Sequence, residues 1–138
     1  MGGEKVAQVG LGKRMTIQCL PWKSDDDYAQ TLRASDVVLS LRVSPHLTYP
    51  PLEAAASGAL VVTNTYDCKS EHRLREISGN ILPVNPSVSA IVHGLKEAVE
   101  RSSALKSREE GSRIHFPKTW DDSFDRVFHR ALECRKAT

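Results

Sequence analysis

The sequence is short of several things, and each shortage narrows the field. It has only 3 cysteines among 138 residues, at Cys19, Cys68 and Cys134. They form no Cys-x-x-Cys and take no zinc-ligand spacing with the 5 histidines, which excludes a disulfide scaffold and a zinc ribbon and fits a reduced, cytoplasmic setting. Unpaired cysteines of this kind are expected to behave as small buried hydrophobes. No apolar run approaches the roughly 20 residues that span a bilayer. No apolar stretch follows the charges of Met1-Gly2-Gly3-Glu4-Lys5, so the start does not read as a secretion signal. An excess of one charge is missing too: 19 Lys and Arg against 17 Asp and Glu leave +2, too balanced for a nucleic-acid surface. Internal repeats and low-complexity tracts are absent.

Recurrent catalytic motifs are equally scarce. Gly10-Leu11-Gly12-Lys13-Arg14-Met15 lacks the third glycine of a dinucleotide loop, and no Ser or Thr follows Lys13 as a P-loop requires. There is no Gly-x-Ser-x-Gly elbow. Asp25-Asp26-Asp27 contains the Asp-x-Asp that can hold a divalent metal, but it stands in a predicted first helical turn, where carboxylates complement the positive helix end. We therefore expect neither a metal nor a cofactor.

What is present is a globular composition, with 40% apolar and 26% charged residues, and an alternation of two segment types. Short apolar runs at 6–9, 16–20, 36–41, 60–64 and 80–84 read as buried strands. The third and fourth are almost continuously apolar, as in parallel sheets covered on both faces. Between them, Ser24 caps a helix through Ala34. Pro50-Pro51-Leu52-Glu53-Ala54-Ala55-Ala56-Ser57-Gly58 reads as a short helix with proline in its first turn and glycine at its end. Val88, Ile91, Val92, Leu95 and Val99 keep helical spacing, as do Trp120, Phe124, Val127, Phe128 and Ala131 behind a Thr119–Asp122 capping box. The polar stretch 101–118 predicts one exposed helix. The sequence thus predicts one α/β domain over 1–138, Rossmann-like, with a mainly parallel sheet, helices on both faces and a C-terminal helix at 119–135. Residues 1–5 are set apart as a possible extraneous or unordered lead-in.

The informative segment is Ser40–Glu53, which joins a buried strand to a helix start. Ligands of open α/β sheets bind outside the carboxyl ends of strands, and a helix N-terminus there suits a phosphate. Ser44, His46, Thr48 and Tyr49 add hydrogen-bonding groups in a proline-braced loop, and Glu53 could accept two sugar hydroxyls. On these grounds alone a phosphate cradle and a rigid structural loop weigh about evenly.

Residues 28–64, and above all Ser44-Pro45-His46-Leu47-Thr48-Tyr49-Pro50-Pro51-Leu52-Glu53, resemble the C-terminal, donor-binding domain of GT-B glycosyltransferases, and among these the bacterial rhamnosyltransferases of cell-surface glycan synthesis. The resemblance implies a nucleoside-diphosphate sugar as ligand. By position, Glu53 would meet the ribose hydroxyls, and Tyr49, Pro50 and Pro51 would lie beside the diphosphate. Ser44 and His46 would approach the phosphates or donor sugar, while Thr63, Asn64 and Thr65 would face the same crevice. Trp22, after Leu20 and Pro21, would stand where the base sits, either stacked on it or as a plain surface aromatic. Many retaining relatives carry a further glutamate where Pro45 stands, so the retaining pair is not carried over.

The family's domain opens with a strand and helix that precede the first strand here, and its enzymes need a second, acceptor-side domain. The resemblance therefore implies a fragment or a chain that pairs with a copy of itself. It also implies nucleotide-sugar binding without turnover by this chain alone, in the cytoplasm or at the inner membrane face. The alternatives are a non-catalytic Rossmann-like or self-association module, with the C-terminal helix as interface, and a response-regulator-like domain. The latter lacks its acidic cluster, since Asp36 opens a strand and Asp67 is isolated.

Overall fold

A computed structural model describes residues 7–11, 15–116, 119, 121–125, 128, 129 and 132. In chain order the elements are β1 (Ala7–Leu11), β2 (Met15–Cys19), α1 (Asp25–Arg33), β3 (Val37–Ser40), α2 (Tyr49–Ala56) and β4 (Leu60–Asn64). They continue as α3 (Glu71–Ile77), β5 (Ile81–Val84), α4 (Val88–Arg101) and α5 (Leu105–Gly111). The sheet β3-β4-β5 is parallel with β4 in the middle. It is flanked by helices and Rossmann-like, as the alternation of segments predicts.

Side-chain alternation along the strands builds two core layers. Val61 and Ile81 point to one face, where they pack with Leu32 of α1, Ala54 and Ala55 of α2, and Leu74 of α3. Leu60, Val62 and Leu82 point to the other face, against Ala98 and Leu95 of α4. β4 is buried along its whole length, which explains its unbroken apolar run. α4 approaches the sheet closely because Gly94 has no side chain: a Cβ there would stand 2.7 Å from Val84 Cγ1 and 3.2 Å from Val62 Cγ1.

The helix ends follow local chemistry. Ser24, Ser70 and Ser87 cap α1, α3 and α4, each accepting from the backbone N–H three residues on. α2 closes in a Schellman turn, with Gly58 at φ +89° and bonds from Gly58 N to Ala55 O (3.1 Å) and from Ala59 N to Ala54 O (3.0 Å).

Three expectations need correction. The first two strands do not join the parallel sheet: β1 and β2 form an antiparallel hairpin with Val9 opposite Ile17, and Met15–Cys19 is exposed. The spacing explains this, because three residues separate the strands and a parallel pair needs a crossover of a dozen or more. The two described cysteines, Cys19 and Cys68, are exposed rather than buried. α3 is an additional helix; its sequence EHRLREI carries too few apolar residues for periodicity to reveal it. Beyond α5, residues 121–125 are helical, with Asp122 N donating to Thr119 Oγ1 at 3.1 Å. Trp120, Val127 and Ala131 of the expected C-terminal helix lie outside the described residues.

Candidate functional site

The carboxyl end of β3 feeds the turn 41–48, which leads into α2. The path of this turn is fixed by β4. Asn64, at the strand's end, accepts from Arg42 N at 2.8 Å and donates to Arg42 O and Thr65 O at 3.1 Å each. Lys69 Nζ also donates to Arg42 O, at 3.2 Å. Burial, with the nearby Arg42 charge second, holds the Lys69 ammonium below its ordinary pKa. The Arg42 backbone is thus held by buried polar groups (Asn64 4% and Lys69 5% exposed), and the residue lines a surface cavity.

Two cavities flank the start of α2 and share Tyr49 and Pro50 as a dividing wall. The first, of about 370 Å³, is lined by Trp22, Lys23 and Asp25 before and at the start of α1, by Tyr28 on α1, and by Glu53 one turn into α2. Its aromatic walls lie open: Trp22 is 100% exposed and Tyr49 78%. Such exposed rings are available to a flat, apolar ligand. Tyr28 donates from its hydroxyl to Glu53 Oε2 at 3.1 Å. Burial first, then this bond and the charge of Glu53, raise the Tyr28 pKa above its usual 10.0, so the phenol remains a donor at neutral pH. The second cavity, of about 440 Å³, is lined besides Tyr49 and Pro50 by Arg42, His46 and Thr48 and by the apolar Leu47, Leu52 and Phe116.

The start of α2 differs from an ordinary anion site. Pro50 and Pro51 lie in its first turn and carry no N–H. Two of the four donors of a normal helix start are therefore missing. The helix dipole remains, so an anion held here needs side-chain donors, and Arg42, His46, Thr48 and Tyr49 are the ones at hand.

The structure gathers Trp22, Tyr49, Pro50 and Glu53 around the first cavity and His46 with Tyr49 and Pro50 around the second. Ser44 lines neither; its Oγ accepts from His46 N at 3.3 Å. Thr63 is 2% exposed and, with Asn64, belongs to the interior of the sheet end; Asn64 reaches the site through the Arg42 backbone. The sequence reading did not place Lys23, Asp25 or Tyr28 beside Glu53. Within the helix from Ser24 to Ala34 the sequence does not single out Tyr28, whose ring is apolar and whose hydroxyl is a donor. Among the described residues, no three His, Cys, Asp or Glu side chains come together as a metal site, and no helix is long and apolar enough to cross a membrane.

This arrangement, a parallel sheet flanked by helices with open cavities beside the start of α2, defines a Rossmann-like domain. The comparison with family models then specifies it: residues 1–96 match the C-terminal domain of WsaF. The chain belongs to that family, a glycosyltransferase-associated domain. No curated protein matches it.

Proposed function

We propose that the chain is the donor-binding half of a glycosyltransferase. It takes a nucleoside-diphosphate sugar, with the nucleoside in the first cavity and the diphosphate over the Tyr49–Pro50 wall. The carrying observation is the convergence of Trp22, Tyr49 and Glu53 on one open cavity at a helix start. A base fits between or upon the aromatic walls, and the Glu53 carboxylate accepts from sugar hydroxyls beside it. The charge of the diphosphate meets the dipole of α2 and the Arg42 side chain, and the donor sugar extends toward His46 and Thr48. The family match supports this at the level of a glycosyltransferase-related domain; the rhamnosyl unit is the form of donor that the sequence resemblance favours.

In the transfer, negative charge grows on the departing diphosphate. A preorganised cation and dipole stabilise that charge more in the transition state than in the ground state. The Asn64 and Lys69 bonds keep the backbone that carries Arg42 from shifting as this happens. Inversion needs a general base, and the proposal places it on an acceptor-side partner domain, so this chain binds donor without turning it over. Calorimetry with UDP, dTDP, GDP, ADP and CDP tests the reading: one of them binds and Glu53→Ala weakens it. Absence of heat for all of them overturns it.

A second reading, self-association, draws on a specific surface. Among the described residues β3 is an edge strand of the sheet, and Leu39 and Leu41 beside that edge are exposed. Concentration-dependent association without nucleotide binding is its signature.

A further inference from the structure

We infer that Tyr28 is a positioning residue for Glu53, its hydroxyl fixing the carboxylate in the orientation that receives the sugar hydroxyls of the ligand. The inference rests on the nucleotide-sugar reading and adds to it a residue on a different helix that acts through Glu53.

Tyr28 lies on α1, and its ring packs against the core layer that contains Leu32, Ala54 and Ala55. The ring is therefore held by the interior, and the residue lines the first cavity together with Glu53. From there it donates to Glu53 Oε2 at 3.1 Å, across 25 positions of sequence. Glu53 is exposed, so water alone would satisfy its oxygens, and a pair of this kind adds little to stability. Its consequence lies in orientation. An untethered glutamate samples several rotamers and must give up that freedom when a ligand binds. A glutamate already tied by one oxygen has given it up in advance, which is the advantage of a preorganised site. An ionised carboxylate has about four acceptor positions, so the bond to Tyr28 leaves the other oxygen open for two neighbouring hydroxyls. Phenylalanine at position 28 would keep the ring packing and remove only the donor.

The test is a calorimetric double-mutant cycle on the full chain: wild type, Tyr28→Phe, Glu53→Ala and the double variant. Each is titrated with whichever of UDP, dTDP, GDP, ADP and CDP the wild type binds most tightly. Thermal melts run alongside. The inference expects Tyr28→Phe to melt with the wild type and to bind about threefold to tenfold more weakly, and expects this loss to vanish in the Glu53→Ala background. Equal affinity of Tyr28→Phe and wild type, while Glu53→Ala still weakens binding, overturns the positioning role and leaves the nucleotide-sugar reading intact. A Tyr28→Phe loss that persists in full without Glu53 also overturns it, because Tyr28 would then act on the ligand by itself. A wild type that binds none of the five nucleotides removes both readings together.

Discussion

At the amino ends of β4 and β5 the polar groups turn inward, whereas around the carboxyl end of β3 several turn toward solvent. Asn80 is 1% exposed, and its amide donates to Ala55 O at 3.3 Å and Arg108 O at 2.8 Å. Ser78 Oγ donates to Gly111 O at 2.6 Å and accepts from Asn80 N at 3.0 Å. Arg108 donates to Gly58 O at 2.8 Å and to Asp36 Oδ1 at 2.9 Å. These bonds tie α5 across the strand starts. At the other pole, Trp22, Tyr49 and Glu53 stand in the open around a cavity, and the buried polar groups, Asn64 and Lys69, hold backbone rather than fill space. One pole turns its polar side chains on the fold itself; the other leaves Trp22, Tyr49 and Glu53 exposed.

The largest expected effect belongs to the amino pole. Asn80→Ala removes two hydrogen bonds and leaves a void where the buried amide packs against Gly111, costing about 3 kcal/mol, or a fall of about 10 °C in melting temperature. The folded fraction should bind nucleotide as the wild type does. A parallel loss of affinity would show that the poles are not separable.

Glu53→Ala should reverse the pattern, with nucleotide affinity falling roughly tenfold to a hundredfold while the melt stays in place. Trp22→Ala should weaken binding about tenfold through lost stacking and shift stability by no more than about 0.5 kcal/mol. Affinity that ignores Trp22 would move the base to another wall of the cavity.

The smallest effect is a pH dependence. The pKa of Tyr28 is raised in the folded protein above the ordinary 10.0. Any stability this contributes relative to Tyr28→Phe is fully present below pH 10, and is lost as pH rises through the folded value. Chemical denaturation of the two proteins from pH 8 upward should show the wild type losing stability relative to Tyr28→Phe only on the alkaline side; a constant difference would mean that folding does not raise the Tyr28 pKa.

How far the sequence revealed all this varied with the kind of information each element carries. β4 was legible because burial on both faces makes it continuously apolar, and α2 because Pro50, Pro51 and Gly58 punctuate it. The placing of Trp22 beside Tyr49 and Glu53 came from the family resemblance and not from the strand-end rule, because β2, which precedes Trp22, stands outside the parallel sheet. The hairpin was misread because apolar content marked its strands while the short gap at 12–14, which dictates antiparallel pairing, went unused. Asn64 and Tyr28 could not be sorted by type alone. An amide at a strand end suits a ligand or a backbone equally well, and only the bonds to Arg42 show which it serves. The prolines of α2 cut the other way: they signal the helix start and at the same time remove the N–H donors that such a start would offer.

The most direct measurement of the central claim is a crystal structure of the chain with the nucleoside diphosphate that calorimetry selects. The account predicts the base against Trp22 or Tyr49, a sugar hydroxyl on Glu53 beside Tyr28, and the diphosphate reaching across Pro50 toward Arg42. Nucleotide bound away from the start of α2, with the Trp22–Glu53 cavity vacant, would contradict it.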